Sequence, residues 1–276
     1  MNTKKSRIAF IGGGNMAQAI ISGLISAGHE PDSLIVTDPD QGQRNLLSGI
    51  AAEMQVHDDN MAAAESAKVI VLAIKPQIIA DVAKQLRSAA KNKLVVSIAA
   101  GTTLDALRDC IGAEAQLVRV MPNQPALIGE GMSGLCAADN VSQDNRELAA
   151  YVMQAAGKIL WFKDESEIDS VTAISGSGPA YFYLFMEIIQ EVAEEFGFDS
   201  DTARLLSVQT AIGTGQVAGE SDESLAQLRE RVTSPGGTTA AALSEFEAAN
   251  IRAIFRKALY AARDRSIELG QPNNST

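Results

Sequence analysis

Residues 7–28, RIAFIGGGNMAQAIISGLISAG, commit the start of the chain to one local arrangement. The apolar run at 8–11 reads as a strand and the glycines that follow as a turn. Met16, Ala19, Ile20, Leu24 and Ala27 then recur at the spacing of one helix face. Gly12, Gly14 and Ala17 fit the pattern G-x-G-x-x-G/A. The first position allows a tight turn, the second lets a pyrophosphate approach the backbone, and the third lets helix and strand pack closely. The helix start would offer its unpaired N–H groups to phosphate. The other reading is a glycine-rich turn with no ligand, but its place after the first strand of the chain favours a dinucleotide.

The alternation continues. LIVTD at 34–38 ends in Asp38, about two dozen residues after the turn and near the place where an acid binds the adenosine ribose. Asp38 also suits a helix N-cap before 41–49. As a ribose ligand it favours NAD by repelling a 2′-phosphate, while nearby Arg44 keeps NADP open. KVIVLAIKP (68–76), KLVVSIAAG (93–101) and AQLVRVMPN (115–123) are near-continuous apolar strands separated by helical stretches at 78–89 and 104–111. Such runs mark a parallel sheet covered on both faces. Lys75, Pro76, Ala99, Ala100, Gly101 and Asn123 therefore fall at carboxyl ends of strands, the edge where open α/β sheets bind ligands. Shorter strands at 131–138 and 158–162 around a helix at 143–156 complete one side, with Trp161 expected to pack at an edge or interface.

After 162 the strand pattern stops. Helices are expected at 166–174, 179–196, 200–218, 222–231, 239–247 and 251–269, which divides the chain into residues 1–163 and 164–276, with a disordered tail at 271–276. The run AYFYLFMEII (180–189) is apolar on nearly all faces, so it either crosses the middle of its domain or meets a second chain. Two loops interrupt the helices: SGSGPA, beginning at Ser175 and Gly176, and VTSPGGTT, from Val232 to Thr239. In both, glycines free backbone N–H groups just before a helix, a geometry suited to anions. Plain helix–helix turns with Ser and Thr caps are the alternative.

Composition removes other chemistries. The net charge of −11 argues against nucleic acid. Cys110 and Cys136, the only cysteines, and His29 and His57, the only histidines, have no metal-ligand spacing and make a histidine triad improbable. No metal is expected. The first ten residues run into a strand with no long apolar region, and no span nears the ~20 apolar residues of a membrane helix, so a cytoplasmic protein without membrane partners is expected.

With these residues in view, the whole chain resembles the pyrroline-5-carboxylate reductases. The segments FIGGGNMAQAI, AIKP, SIAAG, RVMPN-x-PA, SGSGPAYFY and above all RVTSPGGTTAAAL carry the likeness. The resemblance implies an α/β protein, an N-terminal Rossmann-type dinucleotide-binding domain followed by an all-α dimerisation domain. It also implies NADPH- or NADH-dependent reduction of 1-pyrroline-5-carboxylate to L-proline, and self-association as a dimer or a ring of dimers. Carried over by position, it places Gly12, Gly14, Asn15, Met16, Ala17, Asp38, Asn60, Ala73, Lys75, Pro76, Ala99, Ala100, Gly101 and Asn123 at the cofactor. The same carry-over places Ser175, Gly176, Val232, Ser234, Gly236, Gly237 and Thr238 at the substrate, with backbone N–H groups on its carboxylate and Thr239 on the ring nitrogen. Gln124 departs from the threonine common in the family, which weakens any role for that side chain. Reducing a C=N bond needs a hydride donor and a protonated imine, which explains the lack of a histidine acid. A related imine or β-hydroxyacid reductase and a non-catalytic nucleotide sensor are the competing readings.

Overall fold

The structure, a computed structural model, describes residues 3–271. The disorder expected for the tail therefore falls, beyond Gln271, outside the described residues. Eight strands form one sheet: β1 (Ile8–Ile11), β2 (Leu34–Thr37), β3 (Gln55–His57), β4 (Val69–Leu72), β5 (Leu94–Ser97), β6 (Gln116–Met121), β7 (Gly131–Ala137) and β8 (Gly157–Phe162). Their order is β3-β2-β1-β4-β5-β6-β7-β8. The first six are parallel in the doubly wound order of dinucleotide-binding folds. β7 then runs antiparallel to β6, with β8 parallel to β7.

Every residue of β1, β2, β4 and β5 is buried. The physical cause is in the sequence: IAFI, LIVT, VIVL and LVVS have almost no polar side chain to turn outward, so both sheet faces must be covered. The helices that follow are α1 (Asn15–Ser26), α2 (Gln41–Ser48), α3 (Asn60–Ser66), α4 (Pro76–Gln85), α5 (Leu104–Ile111) and α6 (Gln143–Gln154). β3 and α3 escape sequence reading because β3 is three half-polar residues at a sheet edge and α3 is only about two alanine-rich turns.

The helical stretch expected at 166–174 is instead α7 (Glu167–Val171) followed by a π-helical turn, Thr172–Gly176. The helices α8 (Gly178–Glu195), α9 (Ser200–Glu220), α10 (Leu225–Arg231), α11 (Thr238–Ala248) and α12 (Ile251–Gly270) complete the chain. By contacts it divides into two compact units. One holds Met1–Ser177 with Ala262–Thr276, the other Gly178–Ala261. The boundary read from composition, between 163 and 164, differs from this division. α7 packs on β6 and β7, and the end of α12 rejoins the first unit, two associations that a change of local texture does not reveal.

One buried charge helps to hold the first unit together. Arg119 of β6, with its side chain 4% exposed, lies 2.9 Å from Glu165 and 3.3 Å from Asp169. Glu165 also accepts the Leu104 N–H at 2.7 Å, and Asp169 accepts the Ser266 hydroxyl at 2.8 Å. β6, the start of α5, α7 and the end of α12 thus share one set of charge-assisted bonds. His29 is a second polar insertion: it is buried, with Nδ1 3.1 Å from the Tyr151 hydroxyl and Nε2 3.0 Å from that of Ser33. Cys136 is buried as expected, whereas Cys110 is half-buried. Trp161 sits under the Arg146 guanidinium, 5.5 Å from the ring centre.

In the second unit, α8 packs along α9, where Ala193, Ala203 and Ser207 are buried and Ser207 Oγ donates to the Met186 carbonyl at 2.7 Å. Phe255 stacks on Phe185 and meets the edge of Tyr181. Most other apolar side chains are uncovered: Phe182 is 67% exposed, and Tyr183, Leu184, Ile188, Leu205, Leu206 and Ile212 are also exposed. The apolar run on α8 therefore does not cross the middle of its own unit. Among the described residues no helix is long and apolar enough to cross a membrane.

Candidate active site

Helix starts differ in whether a side chain meets their first N–H groups. Side chains of Asp40, Asp59, Thr103, Ser142, Asp199 and Ser224 cap α2, α3, α5, α6, α9 and α10 by accepting a first-turn N–H. α1, α4 and α11 start instead on Gly14, Lys75 and Gly237, with no side-chain cap, as does the five-residue α7. A capping side chain is worth about 0.5–2 kcal/mol over alanine but only a few tenths over glycine, so the glycine starts of α1 and α11 leave their N–H groups open at little cost. Among the helices whose start is characterised, these three longer uncapped ones begin at segments expected to meet ligands, and open N–H groups are what an anion needs.

In the first unit the glycine turn is shaped by its surroundings. Gly12 has φ +96°, and a Cβ there would stand 2.5 Å from the Ala73 carbonyl oxygen; a Cβ on Gly13 would overlap the Leu47 side chain. At Gly14 a Cβ would meet nothing within 4 Å, so this face of the turn is clear for a pyrophosphate. The Gly12 N–H donates to the Thr37 carbonyl at 2.8 Å, and the Gly13 N–H to Asp38 Oδ2 at 3.0 Å. The Gly13 carbonyl accepts both Gln18 Nε2, at 2.9 Å, and Gln43 Nε2, at 2.5 Å. Gly14 and Asn15 are exposed at the helix start, Met16 is half-buried beside them, and Ala17 is buried in the core. This cradle fits a dinucleotide.

The neighbouring strand ends carry the other expected cofactor residues. Asn60, the first residue of α3, accepts the Thr37 hydroxyl at Oδ1 over 2.6 Å, beside the carbonyl that anchors Gly12. Ala73 donates to the Ile11 carbonyl at 2.8 Å; exposed Lys75 and Pro76 open α4. After β5, Ala99 is buried, Ala100 is exposed, and Gly101, at φ +72°, lies against Leu269 of α12. At the end of β6, Asn123 Oδ1 accepts the Met132 N–H at 2.8 Å and Nδ2 donates to the Ser175 carbonyl at 3.1 Å. The Asn123 side chain thus holds the π-helical turn as its main task. Ser175 Oγ donates to the Val171 carbonyl at 3.2 Å, and Gly176 leaves room for the Met121 methyl, which a Cβ would approach to 2.5 Å. Gly12, Asp38, Asn60 and Ala73 are brought together at one end of the sheet, as are Asn123, Ser175 and Gly176.

Two local details differ from the sequence reading. The N-cap of α2 is Asp40, which accepts the Gln43 N–H at 2.7 Å, and not Asp38. Gln43 stands where a capping box would turn its side chain back, yet that amide reaches Gly13 across the sheet end. The Gln43 arm of the clamp on the Gly13 carbonyl had no signal in local pattern, because it joins residues 30 positions apart.

In the second unit, Val232 ends α10 and is exposed. Ser234, Pro235, Gly236 and Gly237 then make a turn in which the Gly237 N–H donates to the Ser234 carbonyl at 3.0 Å. Proline in second place and Gly236 at φ +71° in third are the requirements of a type II turn. The expectation that Gly237 offers its own N–H to a carboxylate is therefore corrected, since the turn already uses it. The open donors belong to the first turn of α11, where exposed Thr238 and half-buried Thr239 stand.

Titratable groups are few at these positions. Burial pushes the His29 imidazole below its ordinary value and the Cys136 thiol and Tyr151 phenol above theirs, and none of the three adjoins the glycine turn or VTSPGGTT. Among the described residues no group of His, Cys, Asp and Glu is arranged for a metal.

Comparison with known proteins converges on one family. Residues 165–269 match the family of pyrroline-5-carboxylate reductase dimerisation domains, and residues 7–101 that of coenzyme F420-dependent NADP oxidoreductases. Pyrroline-5-carboxylate reductase of Haemophilus influenzae is 42% identical over 95% of this chain and 97% of its own length. That of Pseudomonas aeruginosa is 44% identical over 96% and 97%. Among solved structures, a pyrroline-5-carboxylate reductase from Coxiella burnetii superposes with TM-score 0.92 at 40% identity, covering 97% of this chain and all 100% of that one. The Plasmodium falciparum pyrroline carboxylate reductase, solved with NADP bound, gives 0.86 at 29% identity, over 97% and 99%. The uncapped glycine turn, the parallel sheet and the exposed helical unit all agree with these matches, and the chain belongs to the pyrroline-5-carboxylate reductase family.

Proposed function

We infer that the chain reduces 1-pyrroline-5-carboxylate to L-proline, the last step of proline synthesis, using NADPH or NADH, in the cytoplasm. The observation that carries the site assignment is the set of three uncapped helix starts, at Gly14, Lys75 and Gly237. In the first unit, the N–H groups of Gly14, Asn15 and Met16 hold the cofactor's pyrophosphate, Asp38 takes the adenosine ribose, and the strand ends from Ala73 to Gly101 line the rest. When bound, the reduced nicotinamide supplies a hydride to the ring carbon of the C=N bond.

The second unit supplies substrate contacts. Its first-turn N–H groups at Thr238 and Thr239 bind the carboxylate, and the type II turn fixes their direction. The Thr239 hydroxyl hydrogen-bonds the ring nitrogen. As the new C–H bond forms, the π pair of the protonated C=N becomes the lone pair of a neutral ring amine, whose N–H donates to the Thr239 hydroxyl oxygen and which then takes a proton from water. No strong acid is needed, because the imine enters protonated, so the protein's contribution is mainly position.

The test is loss of nicotinamide absorbance upon addition of pyrroline-5-carboxylate, with each cofactor in turn. Nucleotide binding with no turnover of the imine would overturn the reductase reading in favour of a sensor. Thr239→Val is expected to lower turnover by the worth of one hydrogen bond, about 1–3 kcal/mol, with the fold unchanged. Native kinetics in that variant would remove Thr239 from the reaction.

A further inference from the structure

We infer that Asp38 makes this reductase select NADH over NADPH. The inference rests on the placement of Asp38 at the adenosine ribose, and three features at the ends of β2 and β3 carry it. First, the carboxylate is already fixed. Oδ2 accepts the Gly13 N–H of the phosphate turn at 3.0 Å and Oδ1 accepts the Asp40 N–H at 2.9 Å. Two backbone donors that could have faced a 2′-phosphate are thus directed at a carboxylate. Each oxygen keeps a second lone pair, suited to a ribose hydroxyl, which can donate, and unsuited to a phosphate oxygen, which cannot.

Second, the Arg44 guanidinium beside Asp38 is turned inward. Arg44 Nη1 donates to the carbonyls of Asp38, at 2.7 Å, and Pro39, at 3.0 Å, while Nη2 donates to Gln41 Oε1 at 2.5 Å. Its side chain is only 16% exposed and also lies 3.8 Å from Asp58. Arg44 therefore braces the turn after β2 and has little reach for a ligand.

Third, the local charge is negative. Asp38, Asp40, Asp58 and Asp59 border this edge with Arg44 as their counter-charge, and the Asp59 N–H donates to His57 Nδ1 at 3.2 Å. A 2′-phosphate of nearly two negative charges would enter beside fixed carboxylates with its natural donors otherwise engaged.

The test is direct binding of NADH and NADPH to the full-length protein, by nicotinamide fluorescence or calorimetry without imine. NADH is expected to bind at least about tenfold more tightly, given what like charges cost at close range. Asp38→Asn, which keeps an acceptor for the Gly13 N–H, is expected to narrow that ratio severalfold by strengthening NADPH. Arg44→Ala is expected to leave the ratio unchanged even if the looser turn weakens both nucleotides. Equal or tighter NADPH binding by the native protein overturns the proposal, as does loss of NADPH affinity alone in Arg44→Ala. Selective NADH binding in a protein that does not reduce the imine would sustain the cofactor selection and sink the reaction, so the two failures are distinguishable.

Discussion

The two units solve the burial problem in opposite ways. The sheet unit covers β1, β2, β4 and β5 completely with its own helices and can tolerate a buried arginine because two carboxylates meet it. The helical unit buries little more than Ala193, Ala203 and Ser207 and leaves Phe182, Leu184, Ile188 and Leu205 in the open. An apolar surface of that extent requires a partner. The match to a dimerisation family identifies it as a second copy. One unit is thus stable by its own core, while the other depends on assembly and hence on protein concentration.

The sharpest way to break this contrast is to place a charge on the open face. Phe182→Asp should weaken self-association on the order of a thousandfold, the scale of losing a central interface anchor. Sedimentation at several concentrations reads the effect, and an unchanged dimer would show that α8 is not at the interface. The counterpart in the sheet unit is Arg119→Leu. Removing the guanidinium leaves Glu165 and Asp169 without their counter-charge, and the expected loss is about 3–5 kcal/mol in urea unfolding, with no effect on assembly. A loss below about 1 kcal/mol would mean that the pairing is not a determinant of stability.

The smallest effect concerns pH. Burial lowers the folded-state pKa of His29 below the 6.5 of the free side chain, with the Ser6 backbone and Glu30 partly opposing. Below that value the unfolded chain takes up a proton that the folded chain resists, so stability is present above pH 6.5 and falls as pH drops toward the folded pKa. The decline is bounded at about 1.4 kcal/mol per pH unit for one group. His29→Gln should flatten it in thermal unfolding followed from pH 7 to 5, whereas an unchanged profile would assign the acid sensitivity to other groups.

Legibility differed between the units for the same reason as stability. Parallel strands enclosed on both faces must be apolar throughout, so LIVT, VIVL and LVVS announced themselves, and the strand ends with them. β3 stayed hidden because Gln55 and His57 at a sheet edge carry no such requirement. In the helical unit, VTSPGGTT was plainly a special turn, yet which N–H it leaves open depended on the Gly237-to-Ser234 bond. Asn123 was legible as a strand-end residue. Its grip on the Ser175 carbonyl was not, because that contact crosses 52 positions.

What the sequence by itself determined is the alternation of the main strands and helices, the glycine turn after β1 and the family. All follow from short-range constraints: burial period, backbone freedom at glycine, and the donors available within a few residues. Tertiary structure alone decided that Asp38 is held by Gly13, that Arg44 faces inward, that Asp169 of α7 meets both Arg119 of β6 and Ser266 of α12, and that the face of α8 is open. Except for Arg44, whose partners lie within six residues, each is a meeting of residues far apart in the chain or a surface left uncovered by them, and no local pattern encodes which distant partner a side chain will find.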